Sequence, residues 1–310
     1  MDILMNKVGI IGLGHVGATT ALIMAQRGKV GKIVLVDKNF DKARAEQVDL
    51  QDQISLLDTD TEVVLQDYTA QNWEELKDLD VLVFCAGKIA LLKEHGGQRD
   101  FELQMTSKIV AEVAPKIKAS GFNGVIINIT NPCDVIARLL QEQTGLPKQQ
   151  VLGTGTGLET ARMHHAVGEA TGHNYHDVTG YVFGEHGDTM FPVWSTVRVA
   201  GKPISEWKLD LKQLTQQIVT GGYTIFSGKE YTNNGIATWV NLITEAVLSN
   251  AKRALPVTVY DSQLNLYIGQ LAVIGENGVQ KVVDLPLTSE EQKQYQASAQ
   301  AILQNYQKVK

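Results

Sequence analysis

The segment LETAR, residues 158–162, places a carboxylate and a guanidinium three positions apart. That spacing puts Glu159 and Arg162 on one face of a helix, with Cβ atoms about 5–6 Å apart. An exposed pair of this kind would be an ordinary salt bridge that contributes at most about 0.5 kcal/mol. The alternative is that each side chain binds a different partner, in which case both residues belong to a functional site.

Three other segments have side chains suited to chemistry. GEHGD, 184–188, puts His186 among small residues in a turn, where a backbone can approach a ligand. ITNP, 129–132, ends an apolar run typical of a sheet strand, and ligands bind outside the carboxyl ends of such strands. Residues 86–101 are predicted to form a long polar loop typical of a lid, with Arg99 near its far end. With seven histidines in the chain, His186 alone would indicate little.

The first half of the chain alternates short apolar runs with helical patterns. KVGIIG and KIVLVD are two such runs, and similar ones cover 62–66, 80–87 and 123–130. Continuous Val/Ile runs separated by helices predict a parallel sheet that is covered on both faces. We therefore predict an α/β fold class, with a doubly wound domain over residues 1–145.

Residues 146–310 have a different pattern and predict an α+β domain. Helical patterns cover 158–171 and about 234–254, and strand candidates flank the turn that contains the histidine. Glycines and an Asn-Gly pair within 256–283 predict β-hairpins. A polar, glutamine-rich helix is predicted over 288–309.

GLGHVG, residues 12–17, has the pattern GxGxxG between the first predicted strand and a helix. Gly12 permits a tight turn, Gly14 lets the backbone approach a pyrophosphate, and Gly17 lets helix and strand pack closely. The start of the helix would bind the phosphates. Asp37 ends the second strand, where a carboxylate binds ribose hydroxyls and repels a 2′-phosphate, which favours NAD over NADP. A glycine-rich turn without a ligand is the alternative.

Composition excludes several classes of partner. The 310 residues are 44% apolar and 20% charged, with a net charge of −6, which argues against nucleic acid as a partner. No run of about 18 apolar residues predicts a membrane span. Cys85 and Cys133 cannot form a disulfide framework, and together with the absence of a signal peptide they predict a cytoplasmic protein. The histidines at 164, 165, 173 and 176 do not form a tetrahedral ligand set, so no metal is expected.

These segments together resemble the NAD-dependent L-lactate and L-malate dehydrogenases. The resemblance runs over essentially the whole chain, through GLGHVG, IVLVD, the loop with its arginine, TNPCDV, GTGLETAR, GEHGD and KEYTNNGIA. Within this family the chain is most similar to the L-2-hydroxyisocaproate dehydrogenases of lactic acid bacteria, on SGFNGVIINITNPCDVIARLL, GTGTGLETARMHHAVGEA and WSTVRVAGKPI. The resemblance implies a Rossmann NAD-binding domain, a C-terminal substrate domain, reversible reduction of small 2-keto acids, and a homodimer or homotetramer.

The resemblance also implies roles for particular residues. His186 is the expected general acid, and the base in the reverse reaction. Arg162 is expected to bind the substrate carboxylate with its rigid guanidinium, and Arg99 to polarise the keto oxygen after the lid closes. Asn131 is expected to hold substrate and cofactor, and its bond to Pro132 to be cis.

Glu159 occupies a position where the family usually has aspartate. We expect its carboxylate to bond to one nitrogen of His186 and to stabilise the protonated ring. The alternative is an ordinary salt bridge to Arg162, with His186 oriented by another group. The predicted catalytic residues are His186, Glu159, Arg99 and Arg162, and the predicted substrate-binding residues are Arg99, Asn131, Arg162 and Thr232. The predicted cofactor-binding residues are Gly12, Gly14, His15, Val16, Gly17, Asp37, Tyr68, Ala86, Gly87 and Asn131, where Tyr68 either stacks near the adenine or only packs.

The substrate is predicted from the lid. Its IALL segment, 89–92, is apolar where malate enzymes present an arginine, and a dicarboxylate would leave a charge unpaired beside it, with only Lys93 nearby. Thr232 and Gly235, before the long helix, align with the opposite wall of the family's pocket, and Gly235 leaves room. A larger apolar side chain is therefore expected. The alternatives are pyruvate as the substrate, and an NAD-sensing protein without turnover.

Overall fold

The computed structural model describes residues 6–87 and 99–310, with side chains from residue 101 onward in the second range. Six strands form a parallel sheet: β1 (Lys7–Ile11), β2 (Lys32–Val36), β3 (Glu62–Leu65), β4 (Val81–Phe84), β5 (Val125–Asn128) and β6 (Val151–Gly153). Their order is β3-β2-β1-β4-β5-β6. This is the strand order of a dinucleotide-binding sheet, with its switch point between β1 and β4.

Helices cover both faces of this sheet. They are α1 (His15–Arg27), α2 (Phe40–Ser55), α3 (Arg99–Ala119) and α4 (Cys133–Thr144). All residues of β4 and β5 are buried, because α3 and α4 pack against one face and the later helix Asn234–Leu248 packs against the other. The continuous apolar runs of the sequence follow from this double burial, and the predicted doubly wound fold is confirmed.

The second half adds helices and short strands beside this sheet. They are α5 (Gly157–Thr171), β7 (Val178–Thr179), β8 (Val182–Phe183), β9 (Phe191–Pro192), β10 (Arg198–Val199), β11 (Lys202–Pro203), α6 (Leu211–Lys229) and α7 (Asn234–Leu248). β8 and β9 pair antiparallel on either side of the turn that contains His186, as predicted. Within residues 6–87 and 99–310, no helix is long and apolar enough to cross a membrane.

Three further strands extend the main sheet to nine. β12 (Arg253–Asp261), β13 (Leu266–Gly275) and β14 (Gly278–Val282) form successive antiparallel hairpins. β12 pairs antiparallel with β6 through Thr258 and Gly153. Gly278 follows Asn277 at the last turn with φ of 81°, so the predicted Asn-Gly hairpin is confirmed. Helix α8 (Ser289–Gln307) closes the chain.

Two helices differ from the sequence prediction. α6 was not predicted, because Gly221, Gly222 and Gly228 make it a poor helix former. Its start is fixed by Asp210, whose side chain accepts a hydrogen bond from the backbone of Gln213. α7 ends at Leu248 rather than near 254, because residues 250 and 252 adopt positive φ and turn the chain into β12.

Candidate active site

The glycine-rich loop between β1 and α1 is held in place by the end of β2. The backbone N–H of Gly12 donates to the carbonyl of Val36 at 2.8 Å, and that of Leu13 donates to Oδ2 of Asp37 at 2.7 Å. The other oxygen of Asp37 accepts from the backbone of Asn39 at 2.9 Å. Asp37 therefore stabilises the loop, and each carboxylate oxygen retains a lone pair suited to a ribose hydroxyl.

The three glycines of the loop differ in the space around them. A Cβ at Gly17 would clash with the carbonyl oxygen of Gly12, so close packing of helix and strand requires glycine there. A Cβ at Gly14 would meet no heavy atom within 4 Å. Gly14 thus leaves an open approach to the start of α1, where His15 and Val16 form the first turn. Free backbone N–H groups and the helix dipole at this point fit a dinucleotide pyrophosphate.

Gly14→Ala is expected to fold normally and to bind NADH about tenfold more weakly. Its backbone conformation, with φ of −66°, suits alanine, so only the approach of the phosphate is obstructed. The measurement is an NADH titration followed by fluorescence, together with a melting curve. Gly228→Ala is the matched control, since its Cβ also meets nothing within 4 Å. NADH binding by Gly14→Ala at the strength of the unmodified protein would contradict this assignment.

The carboxyl ends of β4 and β5 lie beside this loop. Ala86 and Gly87 follow β4, and the hydroxyl of Thr130 donates to the carbonyl of Ala86 at 2.9 Å. Asn131 follows β5, and its bond to Pro132 is cis, as predicted. Oδ1 of Asn131 is buried and has no hydrogen-bond partner among the described residues. A buried acceptor without a partner is uncommon, and its place at the edge of the sheet suits a donor group on a ligand.

Tyr68 lies further from the loop and is 8% exposed. Its ring packs against Trp73, and Nζ of Lys116 lies 4.7 Å from the ring centroid. Burial, together with the hydrogen bond to Glu112, raises the pKa of the Tyr68 phenol far above its usual value. The described contacts of Tyr68 are therefore with Trp73, Lys116 and Glu112, and a contact with adenine stays a prediction.

Glu159, in the first turn of α5, contacts both of its candidate partners. Its Oε1 accepts from Nη1 of Arg162 at 2.8 Å, and its Oε2 lies 3.2 Å from Nδ1 of His186. The carboxylate is 1% exposed, while the arginine and histidine side chains are 21% and 23% exposed. The salt bridge and the contact with His186, weighed above as alternatives, are thus both present, because the two oxygens serve different partners.

The charge state of Glu159 follows from its surroundings. Burial raises the pKa of this carboxyl, but the charge and hydrogen bond of His186 and the charge of Arg162 outweigh burial, and the pKa is lowered overall. Glu159 is therefore ionised at neutral pH. A buried carboxylate between a guanidinium and an imidazole favours the protonated ring.

Asp134 contacts this site, and the sequence patterns did not indicate it. It lies in the first turn of α4, and its Oδ2 accepts from the backbone N–H of His186 at 2.9 Å. Its Oδ1 accepts from the hydroxyl of Thr258 at 2.6 Å. Burial raises the pKa of Asp134 to about 6, despite these two hydrogen bonds. In the sequence Asp134 looked like an ordinary acid at a helix start, and no local signal connects it to His186.

Two glycines of α6 make room for Arg162. A Cβ at Gly221 would lie 3.1 Å from Cδ of Arg162, and one at Gly222 would lie 3.4 Å from Nη2. The guanidinium thus lies between Glu159, on its own helix, and the Gly221–Gly222 pair of α6. The signal for this contact was the Gly-Gly pair itself, because glycines inside a helix often mark close packing.

The remaining predicted residues are Thr232, Gly235 and those of the lid. Thr232 is half-buried in the loop between α6 and α7. Gly235 lies in the first turn of α7 rather than before it, and a Cβ there would lie 3.1 Å from Cδ2 of Leu158. The backbone of Arg99 begins α3, but its side chain, IALL and Lys93 lie outside the described residues.

Comparison with known proteins identifies the family. Residues 6–153 match the model of the lactate/malate dehydrogenase NAD-binding domain, and residues 156–310 match that of its alpha/beta C-terminal domain. L-lactate dehydrogenase of Fusobacterium nucleatum is 33% identical, covering 98% of this chain and 96% of its own length. L-lactate dehydrogenase 1 of Bifidobacterium longum is 35% identical, covering 96% of each.

Two solved structures have the same architecture. A lactate dehydrogenase from a Medee basin deep-sea metagenome superposes with a TM-score of 0.91 at 31% identity, and Cryptosporidium parvum malate dehydrogenase superposes with 0.89 at 26%. Each covers 99% of both chains. The chain belongs to the lactate/malate dehydrogenase family. It is an NAD-dependent oxidoreductase that acts on the CH–OH group of small 2-hydroxy acids.

Proposed function

We propose that this enzyme reduces 2-keto monocarboxylic acids with apolar side chains larger than that of pyruvate to L-2-hydroxy acids. The observation that carries the chemistry is the arrangement in which one buried carboxylate, Glu159, contacts both His186 and Arg162. In this proposal His186 is the proton donor and Arg162 is the anion-binding group, and Glu159 contacts both. NADH supplies the hydride when bound.

His186 transfers the proton in this proposal. Glu159 accepts Nδ1–H, so Nε2 delivers the proton to the oxygen of the keto group. The negative charge of Glu159 stabilises the ring in its protonated form before the reaction. In the direction of oxidation, the same nitrogen removes the hydroxyl proton. The turn around His186 is held by the hydrogen bond from its backbone to Asp134.

Arg162 binds the substrate carboxylate. One of its five N–H donors is directed to Glu159, which fixes the plane of the guanidinium and leaves the others to face an anion. Arg99 is proposed to polarise the keto oxygen, and Thr232 to contact the substrate from the loop between α6 and α7. Asn131 is proposed to position the substrate beside the cofactor through its buried Oδ1.

The preference for a larger side chain is supported by the apolar IALL of the lid and by Leu158. Cδ2 of Leu158 lies 3.1 Å from the point that a Cβ at Gly235 would occupy, so this leucine takes part of the room predicted there and makes that wall apolar. Each additional methylene buried against such a wall adds about 0.8 kcal/mol to binding. The second candidate is pyruvate, favoured by the names of the relatives, which are L-lactate dehydrogenases. A homodimer or homotetramer is proposed, supported by exposed apolar side chains such as Leu22 and Phe40 on α1 and α2.

The experiment is to measure initial rates of NADH oxidation with pyruvate, 2-ketoisocaproate, phenylpyruvate and oxaloacetate side by side. We expect kcat/KM to be at least tenfold higher for 2-ketoisocaproate than for pyruvate, since it has three more carbons and burying about two of them suffices for a factor of roughly ten. Oxaloacetate should be the poorest substrate, because the lid has IALL where malate enzymes present an arginine, with only Lys93 nearby for the second carboxylate. A higher kcat/KM for pyruvate would instead make the enzyme an L-lactate dehydrogenase. No oxidation with any of the four acids would favour an NAD-sensing protein.

A further inference from the structure

The loop at residues 230–233, between α6 and α7, rests on the first turn of α1. The rings of His15 and Tyr231 stack face to face, with centroids 3.6 Å apart and planes 3° apart. Nδ2 of Asn233 donates to Oγ1 of Thr19 at 2.8 Å. Two contacts from the second half of the chain thus meet the helix that begins the cofactor loop.

These contacts are part of a network of hydrogen bonds and ring contacts. The hydroxyl of Thr19 donates to the carbonyl of His15 at 2.6 Å, so both α1 residues are themselves linked. On the other side, Nζ of Lys229 hydrogen-bonds to Oδ1 of Asn233 and lies 4.9 Å from the ring centroid of Tyr231. The loop therefore contacts α1 at two points, through the ring stack of Tyr231 and through the hydrogen bond of Asn233.

Thr232 lies between Tyr231 and Asn233 in the sequence. His15 is the first residue of α1, at the N–H groups and dipole that fit the pyrophosphate. One stacked pair therefore connects the residue beside the cofactor phosphates with the residue beside the proposed substrate contact. A ring stack of this kind is worth roughly a threefold to tenfold change in an equilibrium constant.

We propose that the stacked pair of His15 and Tyr231 couples cofactor binding to substrate binding. Pyrophosphate at the start of α1 fixes His15, His15 fixes Tyr231, and Tyr231 holds Thr232 in position against the keto acid. His15 and Tyr231 are thus positioning residues, which adds to the role of His15 in the cofactor loop. The inference rests on the proposed function, since it concerns the same substrate site.

The test measures how strongly cofactor and substrate favour each other's binding. NADH is titrated into the protein with and without saturating oxamate, an unreactive amide analogue of a 2-keto acid, and the ratio of the two Kd values is the coupling factor. Binding linkage requires oxamate affinity to change by the same factor when NADH is added. His15→Ala and Tyr231→Ala are expected to lower this factor threefold to tenfold, while His15→Phe and Tyr231→Phe retain it because the stack remains.

A double-mutant cycle separates coupling from a general loss of structure. The double variant should lower the factor no further than either single variant, because both remove the same contact. Tyr175→Ala is the matched control. It removes a second stacked pair, that of Tyr175 with His165, whose planes are 9° apart, and it should leave the factor unchanged.

The possible results distinguish failure of this inference from failure of the proposed function. A normal coupling factor in Tyr231→Ala, or losses that multiply in the double variant, would overturn the inference while leaving the proposed function intact. If the unmodified enzyme reduced no keto acid, the proposed function would fail, and the inference would fail with it. Should Tyr231→Ala not fold, His15→Ala gives the same comparison, since His15 is exposed.

Discussion

Glu159→Gln is expected to lower kcat/KM for 2-keto acid reduction by roughly 10³-fold. The neutral amide would still reach both partners, but it would no longer stabilise a protonated His186 or neutralise Arg162 inside the protein. The amide nitrogen would also face a guanidinium or ring donor, so one of the two hydrogen bonds would be lost. Single-turnover measurements of NADH oxidation would show whether the loss lies in the chemical step.

The pH profile distinguishes this effect from a loss of structure. Keto acid reduction requires protonated His186, and removing the nearby negative charge disfavours that form. The alkaline limb of kcat/KM should therefore move to lower pH in Glu159→Gln. Glu142→Gln is a matched control, because Glu142 also contacts two partners, Arg138 and Tyr306, away from the site. Near-normal kcat/KM and an unmoved limb in Glu159→Gln would show that His186 is oriented by another group.

Asp134→Asn is expected to gain roughly 3 kcal/mol of stability relative to the unmodified protein as pH rises from about 4 to 7. Burial raises the pKa of Asp134 from 3.8 to about 6, so the folded state binds its proton more tightly than the unfolded state. The carboxyl's contribution to stability is therefore complete below pH 3.8 and is lost as pH rises through about 6. An amide does not ionise and avoids this loss.

Urea unfolding of both proteins between pH 4 and 8 measures this difference. The two free energies of unfolding should separate progressively with pH and run parallel above about pH 7. Thr258→Val provides a second check, because the hydrogen bond from Thr258 lowers the pKa of Asp134. Its loss should move the transition to higher pH. A pH-independent difference between Asp134→Asn and the unmodified protein would mean that Asp134 is not destabilised by burial.

The sequence was sufficient for features that depend on local spacing. The parallel sheet was predictable because double burial makes each central strand a continuous apolar run, as in β4 and β5. The cofactor loop was predictable because its glycines and Asp37 have fixed spacings imposed by one βαβ unit. His186, Arg162 and Glu159 were found through the resemblance, and spacing alone gave Glu159 a single partner.

Features that depend on distant contacts were not predictable. Asp134 meets His186 and Thr258, 52 and 124 positions away, and nothing in its own segment indicates either contact. Tyr231 meets His15 only because α6 and α7 return to α1. Helix α6 was missed for a related reason. Its three glycines weaken its intrinsic helix propensity, and two of them, Gly221 and Gly222, accommodate Arg162, which comes from another helix.

The pairing of β12 with β6 has a mechanical consequence. Because the C-terminal hairpins continue the same sheet as the cofactor-binding strands, the halves cannot swing apart on a flexible hinge without breaking backbone hydrogen bonds. Access for the substrate must therefore come from loops rather than from a rigid-body opening of two lobes. An isolated N-terminal half would also expose β6 as an unprotected edge, which is a template for aggregation. In this fold the site can therefore open by movement of its loops while the strands of the sheet stay paired.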